Sequence, residues 1–274
     1  MTSAPHTAGN RSDGGAVRFV AYLALAAFVL LPLAQSIVLS FTATLPHEGI
    51  EPGSLSLVNY LNIFRTPALL SSILNSLFYV ALNVALSLFA GLPAAYASSR
   101  YSFVGDRHFF FMLLVFRVTP PVVLSLPVFI LFSQLNLVNT PVGIALVHCL
   151  FNIPIAIWIL ESFISAVPRE LDETAFLDGY SLPGFFFKQL LPAIAPGIGV
   201  TAFFCFIFSW VEVVMARVLT VTAGKPITMA INALFSFRTD IGLVMAMTVF
   251  SLLPGVAMIY FVRNHIARGF VIRA

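Results

Sequence analysis

Two ionisable side chains interrupt sequence that is otherwise apolar: Arg117, within Phe109–Phe132, and Glu212, after the charge-free run 193–211. A charge near the middle of an apolar helix costs roughly 2.5–3.5 kcal/mol on insertion scales, so it needs a partner or a water-filled cavity. Arg117 with Glu212 is the preferred pairing, with Arg217 five residues further on. Two uses suit such a pair: meeting a polyhydroxylated solute along a pathway, or joining two helices. Asn152 is a further pathway candidate, and Asn83, Gln134, Asn136 and His148 are weaker ones. Amides and imidazoles also bridge helices, at about 0.6 kcal/mol each on average, and packing is favoured for His148.

A second cluster is of a different kind. From Ser165 to Gln189 the chain turns polar, and Glu170, Asp172, Glu173 and Asp178 fall within 25 residues. Pro168 can open a helix, because its missing N–H is not needed in a first turn, and the three acids that follow suit the positive end of the helix dipole. Gly179 marks a stop or sharp turn. Leu182, Phe185, Phe186 and Leu190 then have the spacing of a short amphipathic face before Pro192. Two short helices around a glycine predict a compact, solvated knob.

Other chemistry finds little support. Cys149 and Cys205 each lie in apolar sequence with no His or second Cys beside them, which suits buried, inert thiols. Gly224-Lys225 lacks the preceding glycine of a phosphate-binding loop and is followed by Pro226. No His/Asp/Glu grouping has the spacing of an intramembrane hydrolase, and the arginines flank apolar runs instead of forming the basic face that nucleic acid requires.

The elements that must carry these residues follow from composition. The chain is 59% hydrophobic and 9% charged over 274 residues, against roughly 45–50% and 25% for a soluble domain. Charge-free runs at Phe19–Ala43, Thr66–Ser99, Val118–Leu160 and Ile241–Val262 reach or exceed the roughly 20 residues that cross hydrocarbon. The pattern predicts an all-α polytopic membrane protein with about six transmembrane helices, near 17–41, 69–97, 109–133, 141–163, 193–219 and 239–263. The first is uncleaved, being too long for a signal sequence. Arg11, Arg18, Arg100, Arg107, Arg169, Lys188, Arg263, Arg268 and Arg273 share one side, against Arg65, Arg217, Lys225 and Arg238. This bias puts both termini in the cytoplasm and the 42–68 loop outside. Pro32, Pro93, Pro120, Pro121, Pro127, Pro154 and Pro254 interrupt the spans and favour a packed, moving bundle over a passive anchor. The expected organisation is a flexible cytoplasmic head at 1–16, one transmembrane domain at 17–263 with the knob at 165–192, and a short tail at 264–274.

The knob resembles a known signature. Glu173-Thr174-Ala175 and Gly179 stand where the membrane subunits of binding-protein-dependent ABC importers carry Glu-Ala-Ala, three residues, then Gly; Asp178 and Leu191-Pro192 extend the match. Thr174 replaces an alanine and Gln189 the usual isoleucine. Over nearly the whole length the chain looks like the maltose-type, carbohydrate-importing branch. The similarity runs through Asn59-Tyr60, Asn75-Ser76, Ala94-Ala95-Tyr96-Ala97, Pro120-Pro121-Val122-Val123, Leu135–Asn139, Asn152-Ile153-Pro154 with Trp158, Ser209-Trp210 and Ile266-Ala267-Arg268-Gly269.

That resemblance implies a permease subunit of the bacterial inner membrane, forming half of an alternating-access pathway for a sugar or related polyhydroxylated solute. It implies a cytoplasmic coupling helix, with Glu170, Asp172, Glu173, Ala175, Asp178 and Gly179 at the joint with an ATPase. It further implies no catalytic residue, metal or cofactor in this chain, with ATP and Mg in two partner ATPase subunits. A second homologous permease subunit and an extracytoplasmic solute-binding protein complete the expected assembly. A permease for a non-sugar solute such as glycerol phosphate is the nearest alternative. An ion-coupled secondary carrier fits less well, because inverted repeats and several intramembrane acids are missing.

Overall fold

The computed structural model describes residues 13–46, 51–102, 104–235 and 240–269. In chain order the helices are α1 Asp13–Ser40, α2 Val58–Arg65, α3 Pro67–Arg100, α4 Asp106–Val118, α5 Pro121–Gln134, α6 Pro141–Ser165, α7 Glu170–Leu177, α8 Leu182–Phe185, a π-helical turn Phe186–Leu190, α9 Leu191–Ala193, α10 Ala195–Val211, α11 Val214–Leu219, α12 Ile227–Leu234 and α13 Ile241–Gly269. Among the described residues the sole β feature is one isolated bridge, Thr42 to Leu55. The fold is therefore all-α, as the hydropathy pattern predicts. Val17–Ser40, Pro67–Arg100, Pro141–Ser165 and Ile241–Arg263 are long and apolar enough to cross a bilayer, and the count is six if two sharply bent helix pairs each make one span.

The residues divide into two compact units, one of 1–62 and 239–250, the other of 63–238 and 251–274. In the first, the Asn59 amide donates to the carbonyls of Ser40 (3.0 Å) and Thr42 (2.9 Å), and the Thr44 hydroxyl donates to Asp240 at 2.7 Å. A side chain on Gly242 would stand 2.5 Å from the Thr42 carbonyl, so glycine is required for that approach.

The core of the second unit is α6 against α3 and α10. Small residues set the spacing: a Cβ on Gly91 of α3 would lie 3.1 Å from the Cβ of Ala156, and one on Gly197 would lie 2.5 Å from the Phe163 ring. Backbones approach this closely in membranes because packing, with little hydrophobic drive, must hold helices together.

Two expected spans are broken. The helix expected over 109–133 bends by 92° between α4 and α5. Pro120 and Pro121 supply no backbone donors and push Thr119 and Pro120 into extended conformations (ψ 123° and 130°), from which Pro121 begins a new helix. The helix expected over 193–219 stops at Val211, where Glu212 is extended, and restarts as α11. Short α12 lies in sequence read as a loop, while Pro93, Pro127, Pro154 and Pro254 are accommodated inside continuous helices. Helix extends into the segments expected as head and tail, beginning at Asp13 and continuing to Gly269. The rest of those segments, residues 1–12 and 270–274, and Arg238 lie outside the described residues.

Candidate functional site

The knob is built as the acids and the glycine suggest. Helix α7 follows Pro168 and ends in a left-handed residue, Gly179 at φ 82°. The Gly179 N–H donates to the Phe176 carbonyl (3.1 Å) and the Tyr180 N–H to the Ala175 carbonyl (3.0 Å), the paired bonds of a Schellman stop. Helix α8 is capped by Ser181, whose hydroxyl accepts from the Gly184 N–H. The π turn then places Phe185 and Leu190, five residues apart, on one buried face with Ala175, Tyr96, Ile157, Leu160 and Ile164. Leu182, expected on that face, is exposed instead.

Asp172 is the main revision in this region. It does not sit free near the positive end of α7: it is buried and holds the knob to the end of α3. Arg100 Nε and Nη2 donate to its two oxygens at 2.8 and 3.2 Å, and the Tyr96 hydroxyl donates at 3.0 Å. Arg100 Nη2 also donates to the Val167 carbonyl at 3.1 Å, in the chain leading into α7. Glu170, Glu173, Asp178 and Gly179 remain exposed, and Ala175 is buried against the bundle. Next to Glu173 the large apolar side chains of Phe176 and Leu177 also face outward, Leu177 at 86% exposure. Sequence reading found the acids of the knob but missed Tyr96 and Arg100. Their spacing of four on the last turn of α3 was the available signal, since it puts both side chains on one face.

The second site is a cavity of about 200 Å³ lined by Arg117, Thr119, Pro121, His148, Phe151, Asn152, Phe208, Val211 and Glu212. All three pathway candidates, Arg117, Asn152 and Glu212, thus share one wall system. The expected Arg117–Glu212 ion pair is not formed. Glu212 faces His148, with Oε2 3.2 Å from Nε2, and accepts the Met215 and Ala216 N–H groups at 2.9 and 3.2 Å. The broken helix explains this choice: the break at 212 frees the first donors of α11, and the nearest carboxylate satisfies them. Arg117 lies instead over the Phe208 ring, 3.9 Å from guanidinium carbon to centroid.

Behind the cavity runs a buried polar chain. The Asn83 amide nitrogen donates to the Ala145 carbonyl (3.0 Å), and its oxygen accepts from Asn152 (2.6 Å) and from the Ser209 hydroxyl (2.8 Å). His148 Nδ1 is 3.1 Å from Ser209 Oγ. Asn83 and His148 are therefore helix-bridging members of one network that joins α3, α6 and α10. Cys149 and Cys205 are buried beside it, as expected of inert thiols.

Arg100, and Arg169 through the Ser99 carbonyl (3.5 Å), sit at the last turn of α3; the carbonyl of Lys225 accepts from Asn75 in the opposite half of that helix.

An all-α bundle with bent spans, a charged cavity within it and a rigid amphipathic knob outside it defines a solute-transporting membrane subunit. Residues 84–271 match the binding-protein-dependent transport system inner membrane component family, and the chain belongs to it. Similar proteins include the trehalose transport system permease SugB of Mycobacterium tuberculosis, 27% identical over 88% of this chain and 90% of that protein. The arabinooligosaccharide transport system permease AraQ of Halalkalibacterium halodurans is 28% identical over 93% of this chain and 92% of that protein. Among solved structures, a chain of a bacterial ABC transporter that imports the acidic polysaccharide alginate superposes with a TM-score of 0.75 at 21% identity, covering 98% of this chain and 100% of that one. The chain is a multi-pass permease of the inner membrane.

Proposed function

We propose that this chain forms half of the pathway of an ATP-driven importer for a sugar or related polyhydroxylated solute. The observation that carries this reading is the knob: α7 is pinned to α3 by the Arg100–Asp172–Tyr96 cluster while Glu170, Glu173, Leu177 and Asp178 face away from the bundle. A rigid, outward-facing helix tied to a spanning helix suits force transfer from a soluble neighbour. The carbohydrate systems named for its relatives favour a carbohydrate solute over glycerol phosphate, and nothing favours an ion-coupled carrier. In this reading two ATPase subunits bind ATP and Mg, a second permease subunit closes the pathway, and an extracytoplasmic receptor delivers the solute. The knob, the end of α3 and both chain termini are cytoplasmic, in keeping with the arginine bias.

The test is reconstitution. Purified from its host with its neighbours, the chain should bring a second permease and ATPases, and vesicles holding the complex should hydrolyse ATP faster when solute-loaded receptor is present. Glu173→Ala should abolish that stimulation without preventing assembly. Transport by this chain alone, or unaltered stimulation in Glu173→Ala, would refute the reading.

A further inference from the structure

Three ionisable groups line the cavity, Arg117, His148 and Glu212, and two of them are engaged with each other. His148 Nε2 lies 3.2 Å from Glu212 Oε2, and the two oxygens of that carboxylate also accept the Met215 and Ala216 N–H groups. On its other side His148 Nδ1 meets Ser209 Oγ at 3.1 Å, within the polar chain of Asn83 and Asn152. Glu212 is thus held by its own chain, and neither of its oxygens forms an ion pair with Arg117.

Arg117 has no such partner: no carboxylate among the described residues lies within ion-pair distance of it, and its guanidinium lies over the Phe208 face. Stacking satisfies the plane of a guanidinium but leaves its N–H edge free, and that edge has the fork geometry which grips a carboxylate, sulfonate or phosphate with two bonds. Asn152 and Thr119 on the same wall supply groups of the kind that bind hydroxyls.

We infer that the cavity is an anion-selective station: the stacked Arg117 receives an oxyanion substituent, so the imported polyhydroxylated solute is acidic. This rests on the proposed reading of the chain as half of a solute pathway, with the cavity on that pathway, but not on the ATPase coupling.

The test needs no knowledge of the solute. Thr119→Cys places a thiol on the cavity wall of the assembled importer in vesicles, with the parent chain, whose two thiols are buried, as control. Its labelling rates with a sulfonate-bearing and a trimethylammonium-bearing methanethiosulfonate are compared, each normalised to a free thiol in solution. The anionic reagent should be favoured by at least about tenfold, the ratio Coulomb's law gives between opposite and like charges at roughly 6 Å even at the dielectric of water, and adding Arg117→Gln should bring the ratio to about one or below. A ratio near one before that change would mean that a partner carboxylate neutralises Arg117, and would overturn the inference. A ratio unmoved by Arg117→Gln, or no labelling by either reagent, would overturn it as well. Loss of ATPase coupling in Glu173→Ala affects none of these rates, so the two readings fail separately.

Discussion

Arg100 and Arg117 both carry a guanidinium into poorly hydrated surroundings, and the protein treats them in opposite ways. Arg100 spends its donors on Asp172 and the Val167 carbonyl, with side-chain exposures of 6% and 10% across the pair. Its contacts close a structural joint. Arg117 rests against a ring and keeps its polar edge toward an open cavity. A buried charge with every partner in place holds elements in register, whereas one with none is a receptor for something that arrives.

The largest effect that would sharpen this contrast comes from Asp172→Ala. It strands the Arg100 charge in the buried joint, and breaking one side of such a pair costs about 3–5 kcal/mol. A marked drop in the thermal stability of the purified complex is expected. Replacing both partners with apolar residues, Arg100→Met with Asp172→Leu, should recover most of that stability, since no charge is left alone. If the double variant is as unstable as the single one, the joint is held by packing and the contrast weakens.

Gly179→Ala comes next. Open space surrounds the position, so the penalty is conformational only, about 1–2 kcal/mol for a left-handed residue with a side chain. The expected result is a re-angled knob, with receptor-stimulated ATP hydrolysis reduced more than thermal stability.

Arg117→Gln should change stability little, within about 1 kcal/mol, because it orphans no protein partner. Solute uptake should nonetheless fall at least about tenfold if the guanidinium makes a charged bond to the solute. A large loss of stability would show Arg117 to be structural like Arg100. Smallest of all in stability, within about 0.5 kcal/mol, is Glu173→Ala, an exposed side chain whose loss should be felt only in coupling.

How far these differences could be read beforehand varied with the range of the forces involved. The knob is local: Pro168 opens its helix, Gly179 closes it, and three intervening acids favour its first turn, so the sequence pattern and the structure agree there. Spans α1, α3, α6 and α13 were likewise legible, since an apolar stretch long enough to cross a bilayer has few other uses. The breaks were only half visible. Pro120-Pro121 announces one, but nothing in Trp210-Val211-Glu212-Val213 announces the other, and the meeting of Glu212 with His148 of a different helix follows from it. Pairing of charges between distant segments is beyond periodicity, and so Arg117 was matched with the wrong neighbour and Arg100 with none.

Helix α3, with 34 residues, is about 51 Å long at 1.5 Å per residue. It is fastened at three heights: Ser76 accepts the Ile227 N–H at 2.8 Å, Asn83 ties into the chain behind the cavity, and Tyr96 with Arg100 grips the knob. A push delivered at the Arg100 end therefore reaches, along one continuous helix, the polar chain at Asn83 and the Ile227 contact beyond it.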